Sequence, residues 1–214
     1  MTSSKEIIDI SPLISSSIAV FPGDTPFQEE FLMEMSSGDN LTLSKITSTV
    51  HLGAHADAPS HYSSSGASIE KRLLSTYMGK AQVIEVNCPR NSRIRIADIA
   101  HVNILASRIL FKTKSFPNPD CWNSDFVALS EELINYLARN KCILVGIDTP
   151  SIDPADDKLL ESHNAVFKHD MAILEGIVLD HVDVGLYELI ALPLKMAGAD
   201  ASPVRAVLVK QEKN

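Results

Sequence analysis

The sequence predicts a single α/β domain organised around a mixed sheet, on three observations. Segments with strand character outnumber those with helical character. The two kinds do not alternate one for one, as a doubly wound parallel sheet requires. Finally, 214 residues with 45% hydrophobic side chains suffice for one substantial core, and no linker-like tract divides them; the nearest approach to low complexity is the short run Ser63-Ser64-Ser65-Gly66.

Taken in order, residues 7–10 and 42–50 are rich in β-branched side chains with partial alternation and read as strands. Between them, Phe21-Pro22-Gly23-Asp24-Thr25-Pro26 is a turn-rich loop. Further strands are expected at 81–86, 108–112, 142–147, 172–174 and 204–209. The 142–147 run is apolar throughout, as suits a strand covered on both faces. Ser130 is placed to cap a helix running through Leu133, Ile134 and Leu137 to about Asn140. A second helix is expected from Pro154 or Asp156 through Leu159, Leu160, His163, Val166 and Phe167.

Composition excludes several classes of partner. With 27 acidic against 19 basic side chains the net charge is −8, and no basic run offsets it, which argues against a nucleic-acid partner. Cys88, Cys121 and Cys142 are widely spaced and odd in number with no CxxC pair, so neither a disulfide framework nor a thiolate zinc site is expected. The first residues lack the apolar core of a signal peptide, and no apolar run reaches the ~20 residues of a membrane span. A cytoplasmic protein that does not engage a membrane is the expectation.

The chemistry concentrates in His51-Leu-Gly-Ala-His55-Ala-Asp57-Ala-Pro59-Ser-His61, where three imidazoles and a carboxylate fall within a short stretch. On an extended backbone, positions 51, 53, 55 and 57 share a face, which brings His51, His55 and Asp57 together. Gly53 and the alanines around it leave room for a metal and its substrate, and Pro59 ends the strand and re-aims His61. Two neutral imidazoles and a carboxylate suit zinc, manganese or iron, with a coordination position left open for water. A lone histidine is more often structural, but a packed core would call for apolar side chains at these alternating positions. His163 and Glu175 are ambiguous by pattern alone: one fits a polar helix face, the other an exposed strand end.

From Ile8 to Val209 the chain resembles the bacterial kynurenine formamidase branch of the cyclase-like metal-dependent hydrolases. The residues that carry the likeness are Phe21-Pro-Gly-Asp-Thr-Pro26, the 51–61 block, Gly146-Ile-Asp-Thr-Pro-Ser-Ile-Asp-Pro154, Ser162-His163, Leu174-Glu175-Gly176, Tyr187 to Leu194, and Ala199-Asp-Ala-Ser-Pro-Val-Arg205. The wider family usually has threonine after the first glycine of the histidine block; Ala54 stands here, as in the formamidase branch.

The resemblance implies a swivelling β/β/α fold and a homodimer whose neighbouring subunit helps to close each site. It also implies two divalent ions, zinc before manganese. His51, His55 and Asp57 would hold one, and Asp57, His163 and Glu175 the other, with Asp57 bridging. The implied reaction is hydrolysis of N-formyl-L-kynurenine to L-kynurenine and formate in tryptophan degradation. Hydroxide held between metals on the order of 4 Å apart would attack the formyl carbon, and His61 would move the proton to the departing aryl amine.

Phe21 is a candidate for stacking on the aryl ring of the substrate, or equally a plug for the local core. Asp148 and Ser151 read as turn residues first and site contacts second. Asp200, Ser202 and Arg205 read as a tight loop entering the last strand. No GxSxG elbow is present, which speaks against a serine hydrolase. The rival readings are an isatin-type or other cyclic-amide hydrolase with the same metals, and a non-catalytic metal-binding protein, to which His61 would be superfluous.

Overall fold

A computed structural model describes residues 6–210. The elements run β1 (Ile7–Asp9), β2 (Gln28–Met33), β3 (Leu43–Thr47), β4 (His55–Asp57), α1 (Pro59–Tyr62), β5 (Met78–Glu85), β6 (Arg93–Ile94), β7 (Arg108–Lys112), β8 (Ala128–Leu129) and α2 (Glu131–Arg139). After these come β9 (Leu144–Ile147), α3 (Glu161–Lys168), β10 (Ala172–Glu175), β11 (Gly185–Ile190), β12 (Ala201–Pro203) and β13 (Val207–Lys210).

Nine strands form one sheet in the order β1-β13-β11-β5-β7-β9-β10-β4-β12. The neighbours β5-β7-β9-β10 are parallel, and every other pairing in the sheet is antiparallel, so the expected mixed sheet is what forms. Alternation along the central strands feeds two cores. Leu110, Leu144 and Leu174 pack on one side with Val83, Leu189 and Leu208. Ile109, Phe111, Val145, Ile147 and Ile173 pack on the other against Leu133, Ile134 and Leu137 of α2 and Val166 of α3. Strands β7 and β9 are thus buried on both faces, which is why β9 reads as an unbroken apolar run. The Ser130 hydroxyl accepts from Leu133 N at 3.3 Å, and α2 closes at Asn140 as expected.

Four expectations need correction. The 42–50 segment is extended only over β3, which pairs with β2 in a separate two-stranded hairpin outside the main sheet. The 204–209 strand is extended only over β13, which pairs with β11 and β1; residues 204–206 link it to the separate strand β12, which pairs with β4. The helix expected from Pro154 begins only at Glu161: the Asp157 carboxylate accepts from Leu159 N in a turn, and Leu160 takes a left-handed φ of 51°. Residues 51–57 are likewise not one continuous strand, since Gly53 has φ +56° and only β4 is extended.

Candidate metal centre

Register explains why distant residues meet. Antiparallel pairing of β10 with β4 sets Glu175 opposite His55, and β12 flanks β4 on its other side with Ala201 opposite Asp57. The His55 Nε2 atom lies 3.2 Å from Glu175 Oε2 and 3.5 Å from Asp57 Oδ1. From α3, His163 brings Nε2 to 3.5 Å from Asp57 Oδ2 and 3.7 Å from Glu175 Oε1. His51 arrives from the bend before β4, despite the break at Gly53, with Nδ1 3.0 Å from Asp57 Oδ1. All five expected residues therefore converge. His55, Asp57, His163 and Glu175 are buried, and the His51 side chain is 15% exposed.

The hydrogen bonds of these groups fit a cation. His55 Nδ1 bonds the carbonyl of Gly53 at 2.9 Å, and a carbonyl only accepts, so Nδ1 carries the hydrogen and Nε2 presents a lone pair. That lone pair faces carboxylate oxygens, and His55 Nε2 and both Asp57 oxygens have no hydrogen-bond partner although buried. Acceptors gathered without a donor are costly unless positive charge sits among them. His163 repeats the pattern: its Nδ1 donates to Asp153 Oδ2 at 2.7 Å, which turns Nε2 toward Asp57 and Glu175. Ile152 N donates to Glu175 Oε1 at 2.7 Å and fixes the remaining carboxylate.

Electrostatics say the same. Burial alone would lower the pKa of His51, but Asp57 and Asp200 outweigh it and push it up to about 9. For His163, burial is outweighed by Asp153 and Asp57, which push it up to about 10. Asp57 is held well below the usual carboxylate range, since the imidazoles of His163, His51 and His55 outweigh its burial. The cluster demands positive charge, which protons provide on the imidazoles or a divalent ion provides in their place. Ligand atoms of His51, Asp57 and His61 lie within 4.8 Å of one another, as do those of His55, Asp57 and Glu175; Asp57 belongs to both groups.

His61 stands on α1, which Pro59 starts at its first position, and its side chain is 37% exposed. Its ring and that of His51 are 4.1 Å apart, and both line a cavity of about 490 Å³, a size suited to a small molecule. Phe21 lines the same cavity and packs on Trp122 in a T-shaped arrangement, centroids 4.9 Å apart. Asp148 accepts from the backbone N–H groups of Thr113 and Lys114, and burial pushes its pKa up to about 6. Ser151 holds a turn, its hydroxyl accepting from Asp153 N, and Arg205 pairs with Asp9 away from the cavity, as turn and loop chemistry predict.

Sequence reasoning missed two residues. Asp153, fully buried, orients His163; it lies ten residues earlier in a proline-rich turn, and no periodicity marks it. Asp200 is the second. The loop reading assigned to it is incomplete, because its Oδ2 lies 3.1 Å from His51 Nε2 and 3.3 Å from His61 Nδ1.

Comparison with known proteins places this geometry. The family model "Putative cyclase" matches residues 8–154. A solved structure described as a potential metal-dependent hydrolase with cyclase activity superposes at a TM-score of 0.85 with 29% identity, covering 98% of this chain and 100% of that one. Isatin hydrolase A from Labrenzia aggregata shares the fold at a TM-score of 0.82 and 22% identity, over 97% of this chain and 94% of that one. The chain is thus an enzyme of the cyclase-like metal-dependent hydrolase class. Within that class it belongs to the kynurenine formamidase family: the kynurenine formamidases of Bordetella pertussis and Bordetella bronchiseptica are each 44% identical to it over 206 residues, 95% of this chain and 98% of theirs.

Proposed function

We propose that this enzyme hydrolyses N-formyl-L-kynurenine to L-kynurenine and formate, with two divalent ions, zinc in the first place, that would be held by His51, His55, Asp57, His163 and Glu175. The observation that carries the reading is the partnerless buried carboxylate of Asp57, set between imidazoles in a chain 44% identical to kynurenine formamidases. Its Oδ1 faces His51 and His55 and its Oδ2 faces His163, which supports His51, His55 and Asp57 as one ligand set and Asp57, His163 and Glu175 as the other. When bound, such a pair supplies Lewis-acid polarisation of a carbonyl and acidifies water.

The chain's own residues do the rest. Water oxygen bonds to the formyl carbon and gives up a proton to His61, the C–N bond breaks, and its electron pair stays on the aryl nitrogen. His61 passes that proton to the nitrogen, the second water proton is released to solvent, and formate departs. Phe21 and Phe116, both on the cavity wall, hold the aryl ring, while Ile18 and Val20 keep that end dry.

A homodimer is part of the proposal. The β2–β3 hairpin leaves Phe31, Leu32 and Ile46 more than half exposed, and two strands alone are marginally stable in water, so a second copy packed there would cover them. Cytoplasmic residence is supported by three unpaired cysteines; among the described residues no helix is long and apolar enough to cross a membrane.

Turnover of N-formyl-L-kynurenine against isatin, in wild type and His61→Ala, tests the reading. The expected result is rapid hydrolysis of the formamide alone, a fall on the order of 100-fold or more in kcat for the variant, and unchanged metal content. Preference for isatin would overturn the substrate, and an unchanged rate in the variant would overturn the role of His61.

A further inference from the structure

We infer that Asp200 is a positioning residue for His61: one carboxylate oxygen, delivered from the far end of the chain, fixes which ring nitrogen of His61 is free for proton transfer. The inference rests on the formamidase reading only for the name of the reaction, because the geometry concerns the imidazole itself.

The placement of Asp200 is structural. Strand β12 runs beside β4, Ala58 N donates to the Asp200 carbonyl at 2.8 Å, and Ala58 immediately precedes the helix that carries His61. The same short ladder therefore sets both partners. Asp200 Oδ2 lies 3.3 Å from His61 Nδ1. A carboxylate accepts and does not donate, so His61 carries its hydrogen on Nδ1, and Nε2 is left as the nitrogen that exchanges a proton with the substrate. Among the described residues, Asp200 is the hydrogen-bond partner of this ring, which is otherwise held by one short helical turn and is more than a third exposed. Without the bond, ring flips and the other tautomer become available, and the fraction of productive encounters falls.

The same oxygen also takes His51 Nε2 at 3.1 Å, which leaves His51 Nδ1 facing Asp57. Asp200 thus touches both a proposed ligand and the proposed proton carrier, and the test must separate the two. The experiment compares zinc-loaded wild type, Asp200→Ala, Asp200→Asn, His61→Ala and the Asp200→Ala/His61→Ala pair.

In Asp200→Ala, kcat on N-formyl-L-kynurenine is expected to fall about 10- to 100-fold with KM within about twofold and zinc content unchanged. Asp200→Asn, whose amide oxygen still accepts, recovers part of the loss. The pair is no slower than His61→Ala alone, as residues acting as a unit require. Long-range proton–nitrogen NMR reports a single His61 tautomer with hydrogen on Nδ1 in wild type and a mixture in Asp200→Ala. Loss of zinc from Asp200→Ala, additive rates in the pair, or an unchanged His61 tautomer would each overturn the inference. If N-formyl-L-kynurenine is not turned over at all while the NMR result holds, the proposed substrate falls and the positioning role stands.

Discussion

A Cβ placed on Gly176 would lie 2.2 Å from the carbonyl oxygen of Gly53, the same oxygen that bonds His55 Nδ1. Gly176 follows Glu175 directly and has φ +65°, so the chain leaving the strand that carries Glu175 passes too close to the carbonyl that orients His55 to admit a side chain. Gly176→Ala adds roughly 1 to 2 kcal/mol of left-handed strain. It also pushes the Gly53 carbonyl away from His55. Both the melting temperature and the affinity for zinc are expected to fall, readable by calorimetry and metal titration; a variant matching wild type in both would contradict this close approach.

Asp153 makes a comparable case on the other side of the centre. Its carboxylate accepts from Arg93, from Ser162 N, and from both the backbone and ring nitrogens of His163, and the donors of His163 and Arg93 hold its pKa far below the ordinary range despite burial. Asp153→Asn replaces one acceptor by a donor and removes one of the carboxylates paired with Arg93, leaving that of Asp157. The expected cost is about 10- to 100-fold in metal affinity. Stability should drop by about 3 kcal/mol, measured by denaturant unfolding of the apo protein.

The pH dependence of stability carries a signature of Asp148. Burial raises its folded pKa to about 6 from an ordinary 3.8, so its protonated form is favoured in the folded state. The associated stabilisation is complete below pH ~4 and is lost as pH rises through about 6, with a ceiling of about 3 kcal/mol. Relative to wild type, Asp148→Asn should therefore be more stable at pH 8 than it is at pH 4. Parallel stability curves for the two proteins between those pH values would sink the assignment.

Phe21 is proposed to hold the aryl ring of the substrate, and it also packs on Trp122 in a T-shaped arrangement. Phe21→Ala should raise KM roughly tenfold with kcat little changed, as loss of uniform binding requires. A fall in melting temperature with KM unchanged would mark Phe21 as a local plug instead.

What was legible in the sequence follows physical lines. Strand β7 shows in its bounds because it is buried on both faces, and α2 shows because Ser130 caps an amphipathic run. The 51–61 block shows because ligand types stand where packing would place apolar groups. Strand β11 was not read: Tyr187 and Leu189 alternate inward, but the half-buried Leu186, Glu188 and Ile190 between them blur the period. Asp200 and Asp153 were illegible as site residues for a different reason. Their roles arise from partners 139 and 10 positions away, brought close by the β4–β12 ladder and by the loop before α3.

The most direct test of the account is hydrolysis of N-formyl-L-kynurenine by one preparation as purified, after chelation, and after zinc or manganese is restored. Activity should vanish on chelation and return with metal, and the apo protein should melt lower, because filling a site at about 100 times Kd contributes about 2.7 kcal/mol. Undiminished turnover in the metal-free protein would contradict the central claim that the cluster around Asp57 works as a metal centre.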